Sequence, residues 1–199
     1  KSIQLELQGA DTELDKSLVD RLVDPLTHIV RNSLDHGLET EAERTAAGKP
    51  PTGTLRISAM HEGGSVVIDV SDDGRGLNRP RILAKAIEKG LVPTGAKLAT
   101  EDIDELIFLP GFSSAEQVSE ISGRGVGMDV VKRTIEGLRG TVELSSEDGK
   151  GTRLRLRLPL TLAIIDGFGV SVGTGRWIVP LKSIHECLDF SSVVESEPH

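Results

Sequence analysis

HIVRNSLDHG, residues 28–37, spaces His28, Asn32 and His36 at successive fourth positions and sets Asp35 three beyond Asn32. On a helix these four side chains share one face. That face is polar with little Lys or Glu, unlike a core stripe or an ordinary solvated face. An Asn amide oxygen is a hard ligand suited to magnesium bridging phosphates. The bland alternative is a solvated or capped helix end. Upstream, Leu18, Leu22, Leu26, Ile29, Val30 and Leu34 recur at helical spacing, interrupted at Asp24-Pro25. This interruption predicts a kink or a restart with Pro in the first turn, making Asp24 to His36 the helix of interest, stopped by Gly37. A short polar helix over Glu39 to Ala47 follows.

Outward from this helix the chain reads as strands. Ile3, Leu5 and Leu7 alternate with polar residues, predicting a half-buried opening strand. Leu55, Ile57 and Ala59, then Val66, Ile68 and Val70, flank Gly63-Gly64 as a hairpin. Its second strand runs into SDDGRGL, residues 71–77. There Asp72 can accept a hydrogen bond from an adenine amino group, and Gly74 and Gly76 let backbone approach a flat ligand. Without other motifs this is only a strand-ending turn. A helix is expected over Arg81 to Gly90, then a long mixed stretch from Val92 to Arg124 containing a short helix, Ile103 to Leu109. Connections of that length are commonly functional lids or disordered segments. SGRGVGMDVV, residues 122–131, runs into a helix over Val126 to Leu138. Backbone amides there favour phosphate, though a plain flexible connection has the same composition. The glycines are not followed by Lys-Ser/Thr as in a P-loop, nor placed as in a Rossmann turn. Val142 and Leu144, then Leu154, Leu156 and Leu158, close the domain as a hairpin ending near Pro159. Val170, Val172, Trp177, Val179 and Leu181 form two further strands around Gly173-Thr174-Gly175.

Bulk properties narrow the function classes. The 199 residues carry a formal charge of −8, with no net basic surface to displace counterions from nucleic acid. No apolar run approaches the roughly 20 residues of a membrane span. Cys187, the single cysteine, excludes an intrachain disulfide, fits a reducing compartment and reads as a small buried hydrophobe. An opening at Lys1, with neither initiator methionine nor leader, reads as a segment of a longer protein.

Taken together in order, the polar helix, the strand-end Asp and the glycine-rich helix entry resemble the ATP-binding domain shared by histidine kinases, type II topoisomerases, heat-shock ATPase chaperones and MutL. Within it, HxxxNxxDHG, LPGFSSAEQVSEISGRGVGMDVVK and GKGTRLRLRLPLTLAI are similar to the CheA family of chemotaxis histidine kinases. WIVPLKSIHECL resembles the opening strands of that family's CheW-like regulatory domain.

The resemblance implies an α/β two-layer sandwich, a mixed sheet with helices on one face and an ATP lid. It would span residues 1–163, with 164–199 the start of a partial β-barrel of SH3 type. It implies that Asp72 receives the adenine amino group beside Gly74 and Gly76, with Thr152 supporting through water. Asn32, with His28, would hold Mg2+ on ATP; Arg31, Asp35, His36 and Lys85 would lie near the phosphates. Ser113 and Ser114 of the lid, and Gly123, Arg124, Gly125, Val126, Gly127 and Met128, would line the phosphate side, with Phe108 and Phe112 anchoring the lid. Ala115 stands where some relatives carry a lid Lys.

His28 occupies a position where related ATPases carry a carboxylate base. A neutral imidazole could serve that role or merely orient Asn32. The implied activity is transfer of the γ-phosphate to a histidine on a separate phosphotransfer domain, for relay to response regulators. Partners would be a CheW-like coupling protein and chemoreceptors, in the cytoplasm at receptor arrays, without nucleic acid or membrane insertion. The rival readings are an ATP-hydrolysing relative, which would want Glu at position 28, and a non-catalytic docking module.

Overall fold

The computed structural model describes residues 1–112, 127–160 and 167–180. Strands β1 (Ile3–Gln8), β2 (Gly53–Glu62), β3 (Ser65–Asp72), β4 (Thr141–Glu147) and β5 (Gly151–Pro159) form one sheet in the order β1-β2-β3-β5-β4. Only β1 and β2 run parallel; the other neighbours are antiparallel, giving the expected mixed sheet. Gly63 and Gly64 both adopt left-handed φ, 56° and 76°, as a tight turn between β2 and β3 requires. Register aligns Leu55 with Asp72, Val70 with Leu154 and Ile68 with Leu156. All these side chains therefore face one layer of helices.

That layer is built on α1 (Lys16–Asn32) and α5 (Met128–Gly137). Leu22 and Ile29 of α1 and Met128, Val131 and Ile135 of α5 pack with Leu55, Val66, Ile68, Val70, Leu154, Leu156 and Leu158 in the main core. Asp15 caps α1 by accepting from the Ser17 amide at 2.8 Å.

The expected break at Asp24-Pro25 does not occur, because α1 runs through Pro25. Proline frees one carbonyl, that of exposed Arg21, while burial of Leu22, Pro25 and Ile29 holds the flanking turns in line. Nor does the α-helix continue to His36. It gives way to a π turn over Ser33–Gly37, in which the Leu38 amide reaches the Ser33 carbonyl at 2.8 Å. Stacking by fourth residues therefore stops at Asn32. A capping box between Thr40 and Glu43 starts α2 (Glu41–Ala46).

A second, smaller core joins α3 (Arg79–Glu88) to α4 (Thr100–Glu105) and the 3-10 turn Leu106–Phe108 through Ile82, Ala86, Val92, Leu106 and Phe112. The single helix expected from Ile103 to Leu109 is thus two shorter elements starting earlier. Arg79 ties this subcore to the sheet, donating to both Asp104 carboxylate oxygens at 2.8 Å and to the Ser146 carbonyl at 2.7 Å.

Two findings differ from simple alternation. The apolar residues of β1 are not half-buried: Leu5 and Leu7 are 56% and 64% exposed, since β1 is the sheet edge and α1 packs over the inner strands. On the face away from the helices, Asp69 is buried, held by Arg153 and Arg155, each donating to both carboxylate oxygens. Burial opposes its charge, but these two guanidinium groups keep its carboxyl below the usual range. Beside it Val67 is buried on the same face.

The chain divides into two compact units, Lys1–Thr161 and Leu162–His199. In the second, β6 (Gly167–Val172) and β7 (Gly175–Pro180) form an antiparallel ribbon with Trp177 opposite Val170. Leu181, His185, Cys187 and His199 lie outside the described residues. Among the described residues no helix is long and apolar enough to cross a membrane.

Candidate functional site

Asp72 is the last residue of β3, buried where the sheet meets the end of the polar helix. Its Oδ2 accepts from the Ser33 hydroxyl at 2.8 Å and its Oδ1 from the Gly74 amide at 3.0 Å. Burial raises its pKa above the ordinary carboxylate value, opposed by hydrogen bonds from Ser33, Gly74 and Thr152. Of the roughly four acceptor sites of a carboxylate, these three bonds leave about one. Ser33 escaped the sequence reading because α-helical spacing places it off the His28 and Asn32 face. The π turn aims it at Asp72, a geometry common at functional sites.

Glycine packs this carboxylate closely. A side chain on Gly74 would collide with the Gly37 carbonyl, and one on Gly151 with the backbone of Asp72 itself. Gly76, at φ 75°, faces the Glu147 carbonyl. What approaches Gly74 and Gly76 in this structure is therefore protein backbone. The Thr152 hydroxyl lies 3.2 Å from the Ser146 hydroxyl, next to Asp72 in register.

Behind Asp72 lies an ion cluster that sequence spacing did not reveal. Arg44 is 1% exposed; its guanidinium donates to both carboxylate oxygens of Asp73 at 3.0 and 2.9 Å and to Glu39 at 3.2 Å. Lys49 donates to Glu39 at 2.8 Å and to the carbonyls of Asp73 and Gly74 at 2.9 and 2.7 Å. Burial opposes the charge on Glu39, but the Lys49 hydrogen bond and both cations keep its carboxyl below the usual range. A buried Arg in a polar-looking helix gives no periodic signal.

His28 and Asn32 lie half-buried on the last turns of α1, whereas Arg31, Asp35 and His36 are exposed. Burial, then the neighbouring Arg31 charge, lowers the His28 pKa, with His36 adding to the effect and Asp129 opposing it. The imidazole is therefore neutral near pH 7 and able to accept a proton. The Asn32 amide nitrogen donates to the Met128 sulfur at 3.1 Å. Its Oδ1 accepts no hydrogen bond from the described residues, so it is the available hard ligand. Among those residues no group of three His, Cys, Asp or Glu could hold a metal ion. A magnesium ion held at Asn32 would complete its shell with other oxygens, such as water or phosphate.

Gly127 is buried and caps α5, with Met128 beginning the helix. At the other end of the segment, Phe112 and Phe108 are buried, with the ammonium groups of Lys85 and Lys132 over their rings at 5.2 and 5.1 Å. Lys85 is thus held against the segment's entry by a cation–π contact. Ser113, Ser114, Ala115, Gly123, Arg124, Gly125 and Val126 lie outside the described residues. A wide-open depression of about 480 Å³ borders Asp72 and Thr152 at the tip of the β4–β5 hairpin; neither His28 nor Asn32 lines it.

Comparison of the sequence with known proteins gives its family. A family described as histidine kinase-, DNA gyrase B- and HSP90-like ATPase matches residues 21–162. Chemotaxis protein CheA of Klebsiella aerogenes is 56% identical over 188 residues, 94% of this chain and 29% of that protein. For CheA of Salmonella typhimurium the identity is 54%, over 94% of this chain and 28% of that one. The sensor histidine kinase CheAY of Helicobacter pylori is 49% identical over 96% of this chain and 24% of its own length. The chain therefore spans about a quarter of the curated relatives it matches.

Proposed function

The chain belongs to the family of histidine kinase-, DNA gyrase B- and HSP90-like ATPases, and from that premise we propose that it binds Mg-ATP between Asp72 and Asn32 and gives the γ-phosphate to a histidine of a separate phosphotransfer domain. The observation that carries this reading is the buried Asp72 carboxylate, fixed by Ser33 and Gly74 yet with acceptor capacity left for an amino group. A buried ionisable group held with spare hydrogen-bonding capacity is costly in a purely structural role.

In this reading Asp72 recognises the adenine amino group, beside Gly74 and Gly76 and with Thr152 supporting through water. Asn32 offers Oδ1 to magnesium, assisted by His28. The bound cation neutralises charge on the phosphoryl oxygens. Arg31, Asp35 and His36, exposed at the helix end, lie on the phosphate side with Gly127 and Met128. Neutral His28 accepts or orients the proton of the incoming imidazole. By the same family resemblance Ser113, Ser114, Gly123, Arg124, Gly125 and Val126 would line the phosphate side, with Lys85 near the phosphates.

Identity near one half to chemotaxis proteins supports the finer assignment. The acceptor domain, a CheW-like coupling protein, chemoreceptors and response regulators are then the partners, and the cytoplasm the site of action. Residues 1–163 would be the catalytic domain and 164–199 the start of a CheW-like regulatory barrel.

The test is transfer of label. Incubated with γ-labelled ATP and magnesium, the chain should label an added phosphotransfer domain and retain none itself. Stable label on the chain alone, or rapid hydrolysis without acceptor, would replace this reading with self-phosphorylation or with an ATP-hydrolysing role.

A further inference from the structure

Asp72 is held by the Gly74 amide, so the path of the Asp73-Gly74 turn decides where one of its oxygens points. That turn does not set its own path. Lys49 binds both of its carbonyls, and Arg44 binds the Asp73 carboxylate through two nitrogens and the Asp73 carbonyl through one. Asp73 Oδ1 also accepts from the Thr54 amide at 2.8 Å, which locks the turn to β2. Glu39 joins the two cations, and Arg44 Nε reaches the Pro50 carbonyl at 2.7 Å.

A buried ion cluster of this kind often adds no more stability than apolar packing of equal volume. Its advantage is geometric, because a planar guanidinium with five fixed donors admits few arrangements of its acceptors. Three of its hydrogen bonds go to Asp73, the residue next to Asp72, two to the carboxylate and one to the carbonyl. Apolar side chains could fill the same space but could not fix the orientation of a peptide plane.

We propose that Arg44, Lys49 and Glu39 are positioning residues that fix purine selectivity by locking the Asp73-Gly74 turn beneath Asp72. This rests on the nucleotide reading above and deepens it. A carboxylate held at one angle accepts from a 6-amino purine and meets a 6-keto purine acceptor to acceptor. A loosened turn lets the carboxylate tilt away, so discrimination falls while contacts to the triphosphate persist.

The experiment measures binding of ATP, inosine triphosphate and inorganic triphosphate to the full 199-residue chain by calorimetry with magnesium. Wild type, Arg44→Lys and Lys49→Met are compared, with circular dichroism and thermal melts as the check on folding. Lys49 is 17% exposed and at the rim of the cluster, so its substitution decides the matter where Arg44→Lys does not fold. The expected result is a preference for ATP in wild type that drops by about tenfold in the folded variants, the effect of one well-aligned hydrogen bond to a charged group. Affinity for inorganic triphosphate should not change. A purely structural cluster would lower the melting temperature and leave the ATP-to-inosine ratio intact, and that result overturns the proposal. Wild type that binds neither purine nucleotide overturns the nucleotide reading itself and the proposal with it, whereas wild type that binds both equally overturns the proposal alone.

Discussion

The side-chain amide of Asn32 donates to the sulfur of Met128 at 3.1 Å, joining residues 96 apart at the end of α1 and the start of α5. A thioether accepts weakly, but this bond is enough to turn the amide nitrogen toward α5 and leave Oδ1 facing elsewhere. Met128→Leu keeps volume and apolarity, so stability should change by less than about 1.5 kcal/mol. Magnesium-dependent ATP affinity should fall about fivefold, the loss of one orienting hydrogen bond. Calorimetry with and without magnesium checks this; equal loss in both conditions would show that Met128 serves packing only.

On the proposed reading, Asp72 sets stability against binding. Its folded pKa is raised by burial, so the native state holds a proton more tightly than the unfolded chain does. The sign follows: this group favours folding below the ordinary carboxylate value and loses that contribution as pH rises through its folded pKa. Asp72→Asn should therefore melt at or above the wild-type temperature at pH 7, with the advantage closing toward pH 4. ATP affinity should nevertheless drop at least about tenfold. Melts across pH beside nucleotide titration separate the two effects, and a variant that binds ATP normally would remove Asp72 from the site.

On the proposed reading, position 28 divides transfer from hydrolysis. A carboxylate there would present a stronger anchor for water than a neutral imidazole does. His28→Glu should raise acceptor-independent ATP hydrolysis by about tenfold while lowering transfer to a phosphotransfer domain by at least about a hundredfold. Phosphate release and label transfer, measured on the same preparation, provide the two readings. Unchanged transfer would assign His28 to orientation of Asn32 alone.

The Arg79–Asp104 pair carries the small core to the sheet. Both groups are largely buried, and Asp104→Ala leaves a guanidinium in place without its carboxylate. A cost of about 3 kcal/mol is expected in urea unfolding. Loss below about 1 kcal/mol would mean that the Ser146 carbonyl and water suffice for Arg79.

Where local chemistry agreed with the fold, the sequence was readable. Alternation placed the β2–β3 hairpin at Gly63-Gly64, and Gly37 was legible as the stop of the long helical stretch. Reading failed where tertiary contacts override local preference. Pro25 signals a break that buried neighbours suppress, and Leu5 and Leu7 alternate like a covered strand yet lie exposed on the sheet edge. Ser33 and Arg44 were missed for a related reason. One depends on a π turn that α-helical periodicity does not describe, and the other is a charged residue whose burial is fixed by partners 5 to 29 residues away.

Gly37, Gly74 and Gly151 meet around Asp72 so closely that no side chain fits at 74 or 151 without moving backbone. The consequence is historical as much as mechanical. Drift can rework the sheet's outer arginines or the edge strand one substitution at a time, but each step at these positions passes through a displaced carboxylate. In a library randomised at 74 and 151, survivors selected for nucleotide binding should return glycine at both, leaving diversity to collect elsewhere in the gene.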